Sequence, residues 1–227
     1  MPASERGRIS TLLHRLMRAV CRLGLRIEVD GLTHLDVTGA AIVVFNHLSL
    51  ADGPMVASLL QRNAVFLVAR EFDWIPILGW WIRKVANPIY VNRGAPDRRA
   101  VRRAVAVLER GGLLCLAPEG GVSRTGALTE AHHGAAFIGR LASAPVVPVA
   151  AYGQEKFWRR WLRLRRPHVH IVVGEPIVLP HDQSRDNTTV LMRRIAELLP
   201  PAYRGVYATG SAGPLRRSNH VDAAGKA

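Results

Sequence analysis

The stretch Ala41-Ile42-Val43-Val44-Phe45-Asn46-His47-Leu48-Ser49-Leu50-Ala51-Asp52-Gly53-Pro54 decides how the chain folds. Residues 41–45 are a continuous apolar run, the pattern of a strand covered on both faces of a sheet. The run stops at Asn46-His47, and Gly53-Pro54 opens a new spacing, Met55, Val56, Leu59 and Leu60, that predicts a helix. A buried strand that feeds a helix through a short polar loop is half of an α/β unit. The same layout sets an imidazole at a strand end and a carboxylate one loop away. A carboxylate that accepts a hydrogen bond from one ring nitrogen fixes the tautomer and raises the basicity of the other. Such a pair can take a proton from an alcohol.

Spacing by itself does not single out His47 and Asp52. Nine His and eight Asp in 227 residues give roughly 0.3 chance His-x4-Asp pairs. His181 and Asp186 have the same spacing, but they follow Pro180 in a polar stretch with no strand running into it. Strand context separates the two pairs.

The pattern of buried strand and helix recurs along the chain. Leu25–Val29 with the turn at Asp30-Gly31, Ala64–Ala69, Ile89–Val91, Leu113–Ala117, Pro145–Ala150 and His168–Val173 all read as strands. Asp97 caps a helix that buries Val101, Ala104, Val105 and Leu108 and stops at Gly111-Gly112. A small-residue helix is expected over roughly 131–142 and another over 190–199. The expectation is an α/β protein, a mostly parallel sheet flanked by helices, with an N-terminal amphipathic helix and a disordered C-terminal tail. The domain limits are 1–26 for the N-terminal helix, 27–207 for the globular domain and 208–227 for the tail.

Charge sets the class of partner. The 31 basic residues against 17 acidic ones leave +14, a surface suited to nucleic acid, anionic lipid headgroups or phosphorylated substrates. Two cysteines, Cys21 and Cys115, suggest a reduced compartment and offer neither a disulfide framework nor metal spacing. No apolar run reaches the roughly 18 residues of a membrane span, and no secretory signal pattern opens the chain. The expected location is the cytoplasmic face of the cell membrane, held peripherally.

In 9–25, Ile9, Leu13, Leu16, Val20 and Leu23 share one helical face, with arginines on another. The stripe fits either a membrane interface or an ordinary packing surface. Trp74, Trp80 and Trp81 leave the same two options open. Residues 156–166 hold six cations, no acid and three aromatics. That run suits single-stranded nucleic acid or an anionic bilayer, and the bilayer is the favoured partner. His168 and His170 point the same way from a strand, but sequence supplies no companion ligand, so no metal is expected. His132 and His133 are left without a role.

Ligands of parallel sheets bind at the carboxyl ends of strands. Three such ends carry polar residues: Asn46-His47, Asn92-Arg93-Gly94 and Glu119-Gly120-Gly121. Together they offer a base, a guanidinium suited to phosphate and a second carboxylate that could accept hydrogen bonds from hydroxyls. The substrate this describes is a phosphorylated polyol whose free hydroxyl is activated by His47. There is no Gly-x-Ser-x-Gly elbow, so no serine is read as a covalent nucleophile.

Four blocks in order resemble the glycerolipid acyltransferases, the lysophosphatidic acid acyltransferases and their relatives. They are Asn46-His47 with Asp52, Ile89-Tyr90-Val91-Asn92-Arg93, Pro118-Glu119-Gly120-Gly121-Val122-Ser123, and Val147-Pro148-Val149. The resemblance covers about residues 25–180 and makes the globular segment an acyltransferase domain. It implies acyl transfer from acyl-CoA or acyl carrier protein, as co-substrate, to a hydroxyl of a lysophospholipid, with 1-acylglycerol 3-phosphate giving phosphatidic acid as the leading reaction. By this resemblance His47 is the base and Asp52 its partner, while Arg93, Glu119 and Gly120 bind the acceptor. No cofactor and no nucleic acid are implied. Gly121-Val122 stands where the family pattern has Thr-Arg, and Arg124 is the substitute cation. That departure keeps another lyso-lipid or a glycolipid open as acceptor. A non-enzymatic basic protein that binds membrane or nucleic acid is the competing reading.

Overall fold

The computed structural model describes residues 16, 19, 21, 23–92, 97–156, 162, 166–180 and 187–208. Its elements in chain order are β1 (Arg26–Asp30), β2 (Ala41–Phe45), α1 (Asp52–Leu59), β3 (Ala64–Ala69), α2 (Pro76–Trp81), β4 (Ile89–Val91), α3 (Arg98–Glu109), β5 (Leu113–Leu116), α4 (Gly134–Ala142), β6 (Val146–Tyr152), β7 (His168–Val173) and α5 (Asn187–Leu198). The strands form one seven-stranded sheet in the order β1-β7-β6-β2-β5-β3-β4. Neighbours from β6 to β4 are parallel. β7 pairs antiparallel with β6, and β1 pairs parallel with β7. The sheet is therefore mostly parallel, with two strands reversed at one edge.

Burial follows the sequence pattern. Every residue of β2 and β5 is buried, because both strands lie in the middle of the sheet with apolar layers on each side. One layer gathers Val43, Phe45 and Cys115 with Met55, Val56 and Ala57 of α1, and with Ile82, Val85 and Ala86 that follow α2. The other packs Ile42, Val44, Leu114 and Leu116 against Ala104 and Leu108 of α3, Ile138 of α4, and Leu191 and Ile195 of α5. β7 alternates between half-buried and buried residues, as a strand near the edge does when one face is only partly covered.

Local signals account for the helix ends. Asp97 Oδ1 accepts from the N–H groups of Arg99 (3.1 Å) and Ala100 (2.9 Å), satisfying two donors that the first turn of α3 cannot pair internally. Beyond Glu109, the Gly111 N–H donates to Leu108 and the Gly112 N–H to Val107, closing the helix on the two glycines. α4 begins at Gly134, so of the expected helix residues 131 and 132 are irregular and 133 is a turn. The reason is local: the His132 N–H donates to Pro118 O, outside any helix.

Of the helix expected over 1–26, Leu16, Ala19, Cys21, Leu23 and Gly24 are helical, but Leu25 lies outside the helix and Arg26 already opens β1, where it pairs with β7. Cys21 is buried against the first layer, whereas Leu16 and Leu23 are 57% and 76% exposed. The rest of that helix, most of the basic run 157–165, His181, Asp186 and the tail beyond 208 lie outside the described residues. Among the described residues no helix is long and apolar enough to cross a membrane.

Candidate active site

The site forms where β2 ends. Asn46 is fully buried, and its side chain continues the strand pairing with β6. Its Nδ2 donates to Ala151 O at 2.8 Å, and its Oδ1 accepts from Ala151 N–H at 2.7 Å. The next residue turns the other way, toward the loop after β5. The His47 N–H donates to Glu119 Oε1 at 2.8 Å, and His47 O accepts from Ser123 N–H at 2.7 Å. Residues 46 and 47 are thus fixed from both neighbouring strands.

Asp52, the first residue of α1, completes the loop. Its Oδ2 accepts from Leu48 N–H (2.7 Å) and Ser49 N–H (2.8 Å) and lies 3.0 Å from His47 Nδ1. Asp52 is wholly buried, while the His47 side chain keeps 16% of its surface exposed. The imidazole therefore sits between a buried carboxylate and the outside. With Nδ1 bonded to a carboxylate, the neutral ring carries its proton there and leaves Nε2 as a base. Burial pushes the Asp52 carboxyl pKa up, and the contact with His47 and the two loop N–H groups work against that rise.

Glu119 lies in the turn that leaves β5. Pro118 and Gly120 shape this turn, closed by the Gly120 N–H donating to Ala117 O at 3.2 Å. Gly120 has φ +68°, and a Cβ there would come within 2.7 Å of the His132 ring. Only glycine fits. The Glu119 carboxylate is almost entirely committed to the protein. Oε1 holds the His47 N–H, and Oε2 accepts from the N–H and the hydroxyl of Thr129, each at 2.9 Å. Its pKa is raised by burial and opposed by the Thr129 and His47 donors.

Sequence reading expects Glu119 to meet a ligand hydroxyl, and the geometry gives it a structural task as well. It ties the β5 loop to the backbone of the base. His47, Asp52, Glu119 and Gly120 come together as expected. Arg124 is exposed on the same loop, one residue past Ser123, and makes no ion pair among the described residues. Arg93 and the pair His181/Asp186 lie outside the described residues. Sequence reading missed Thr129, the Asn46 clamp on Ala151 and the packing of His132 on Gly120. Asn46 was visible as a polar residue at a buried strand end, but Thr129 carries no signal that distinguishes it from a surface threonine. A cleft of about 760 Å³ between β1 and α1, bordered by Leu25, Ile27 and Leu59, contains none of these residues.

Fold and site together define an α/β protein that carries an Asn-His-x4-Asp strand end beside a Glu-Gly loop. A family model described as Acyltransferase matches residues 26–152, more than half of the chain. The chain belongs to the acyltransferase family. It is 29% identical over 159 residues to a 1-acyl-sn-glycerol-3-phosphate acyltransferase of Cocos nucifera, covering 68% of this chain and 51% of the relative. Against 1-acyl-sn-glycerol-3-phosphate acyltransferase alpha of Mus musculus, identity is 25% over 207 residues, or 87% of this chain and 70% of the relative. The chain spans about half the length of the Cocos nucifera and Limnanthes douglasii relatives. The crystal structure of the 1-acyl-sn-glycerophosphate (LPA) acyltransferase PlsC from Thermotoga maritima aligns with TM-score 0.66 at 24% identity, covering 87% of this chain and 83% of that one. This last likeness is one of fold.

The buried Glu119 carboxylate gives a pH prediction with a defined sign. Its folded pKa is raised, so the folded state holds the proton more tightly than the unfolded chain does. Its contribution to stability is therefore greatest in acid and declines as pH rises from the ordinary Glu value of about 4.3 through the folded pKa. Urea unfolding of wild type and Glu119→Gln across this range should show the wild type losing ground to the variant as pH rises. A difference that stays flat with pH contradicts the assignment.

Proposed function

We propose that this chain catalyses acyl transfer from acyl-CoA or acyl carrier protein to a lysophospholipid hydroxyl, with 1-acylglycerol 3-phosphate as the leading acceptor and phosphatidic acid as product. The observation that carries the reading is the 3.0 Å contact of His47 Nδ1 with the buried Asp52 carboxylate. The names of the relatives from Cocos nucifera and Mus musculus support the choice of acceptor.

In this mechanism the acceptor hydroxyl attacks the thioester carbonyl while His47 Nε2 takes its proton. The tetrahedral intermediate collapses, the C–S bond breaks, and the thiolate leaves with the proton that His47 returns. The products are an ester and a thiol. Asp52 orients the ring and stabilises the imidazolium, and Glu119 positions it through the backbone. No covalent acyl-enzyme is needed, because the thioester is already activated. General-base assistance of this kind is worth about 10²–10⁴-fold.

Val122 stands in the loop that carries Glu119, where the family pattern has an arginine, and Arg124 is exposed two residues on. This favours a second reading in which the acceptor is another lyso-lipid or a glycolipid.

We place the reaction at the cytoplasmic face of the membrane, with the protein bound peripherally. Exposed apolar residues support this: Leu16 and Leu23 on the N-terminal helix, and Trp74 (86% exposed) and Trp80 (45%) around α2. Exposed Lys84 follows them, next to Arg83, whose guanidinium is paired with Asp73 at 2.7 Å. Tryptophan prefers the headgroup level and cations meet anionic lipid there.

Thiol release from one acyl-CoA, measured with a panel of acceptors, tests the reaction and separates the two acceptor readings. His47→Ala is expected to lower turnover by about 10²–10⁴-fold, and Asp52→Asn to lower it as well, with the fold retained. His181→Ala should leave turnover unchanged. Undiminished turnover in His47→Ala would exclude the mechanism. Membrane placement is checked by co-sedimentation with anionic vesicles. Binding should weaken with salt and with Trp74→Ala, whereas equal binding to neutral and anionic vesicles speaks against it.

A further inference from the structure

His168 and His170 stand two residues apart on β7, so their rings leave the same face of the sheet. The alternate residues Val169 and Ile171 point into the core. Sequence offers the two histidines no third ligand, and this is where the fold adds something. β1 is the edge strand beside β7, and its register sets Glu28 directly opposite His170. An acid 140 positions away from the histidines in sequence is thereby brought to them.

The three side chains converge. His168 Nε2 lies 2.7 Å from Glu28 Oε1, and His170 Nδ1 lies 3.3 Å from Glu28 Oε2. One donor atom from each residue lies within 4.8 Å of the other two. Ligand atoms around a tetrahedral zinc, with bonds of about 2.0–2.2 Å, sit roughly 3.3–3.5 Å apart. Small rotations of the side chains suffice to reach that spacing. His168 Nε2 is shielded from solvent and faces the Glu28 carboxylate at 2.7 Å. The His170 ring is held in place by stacking on Tyr152, 4.9 Å between centroids with 9° between planes.

We propose that Glu28, His168 and His170 form a three-ligand site for a divalent transition-metal ion, zinc foremost, that clamps the edge strand β1 to β7. Two imidazoles with one carboxylate suit zinc and its first-row neighbours, whereas calcium and magnesium prefer all-oxygen sites. Three protein ligands leave a fourth position for water. Tyr152 directly follows Ala151, the clamp on Asn46, so the cluster lies toward the same end of the sheet as His47. β6 separates β7 from β2, which puts the two strands roughly 10 Å apart. The metal site shares no residue with the His47 site, and its occupancy is not required for the proposed reaction.

The test uses the full chain, stripped with a chelator and titrated with cobalt(II), then with zinc(II). The expected result is a visible d–d absorption that saturates at one cobalt per chain and is bleached by zinc. Zinc at about a hundredfold excess over its Kd should raise Tm by roughly 5–10 °C. Changes outside the ligand set of known sites already cost about 10–100-fold in affinity. His168→Ala, His170→Ala and Glu28→Gln should each cost at least that much, and Glu28→Gln is the variant least able to disturb the fold because Glu28 is exposed. No cobalt spectrum from folded wild type overturns the proposal and leaves a His–Glu ion-pair cluster. Cobalt affinity unchanged in both Glu28→Gln and His168→Ala also overturns it, placing the ion on other histidines.

Discussion

Where β2 leaves the sheet, the chain must give up its ladder of hydrogen bonds while Asn46 and Leu48 are still buried. Buried backbone N–H and C=O groups without partners cost about 1–3 kcal/mol each. Asn46 to Ser49 meet this demand one group at a time. The Asn46 side chain extends the pairing with β6 by one residue. Glu119 and Ser123 receive and supply the backbone bonds of His47. Asp52 takes the N–H groups of Leu48 and Ser49. Asp52 settles two backbone groups and holds the imidazole with the same carboxylate oxygen, while Glu119 holds His47 by its main chain.

That economy explains how a small site can be stiff. His47 is fixed through its ring by Asp52 and through its main chain by Glu119, and the two acids come from different loops. Thr129 in turn fixes Glu119 through two donors. Both carboxylates are buried, so burial raises both pKa values while their hydrogen bonds oppose the rise. A base positioned within a few tenths of an ångström matters because misplacement of reacting groups by about 1 Å can cost 10²-fold in rate. The sheet provides this precision at its middle, and leaves its edge, at β1 and β7, free for the Glu28/His168/His170 cluster.

Much of this was legible from residue patterns, because burial writes itself into sequence. The fully buried β2 and β5 are continuous apolar runs, and Asp97 marks the start of α3 by its capping chemistry. His47 and Asp52 could be told from His181 and Asp186 by the strand that runs into Asn46. The reversal of β7 and β1 could not be read, since strand direction is fixed by pairing and not by side-chain periodicity. For the same reason Glu28 gave no hint that it joins His168 and His170, whose contact depends on register between strands 140 residues apart. Nor could sequence assign Glu119 to the His47 backbone, because a carboxylate at a strand end looks alike whether it faces a ligand or an N–H. The start of α4 at Gly134 was missed because the competing bond from His132 to Pro118 is long-range.

The central claim is that buried contacts at the end of β2 hold His47 with its proton on Nδ1 and its Nε2 bare. Nitrogen-15 NMR of the histidine rings at neutral pH reads this directly. The His47 signals, assigned by their loss in His47→Ala, should show a protonated Nδ1 and an unprotonated Nε2, and Asp52→Asn should disturb this tautomer. A neutral His47 ring carrying its proton on Nε2 would contradict the claim.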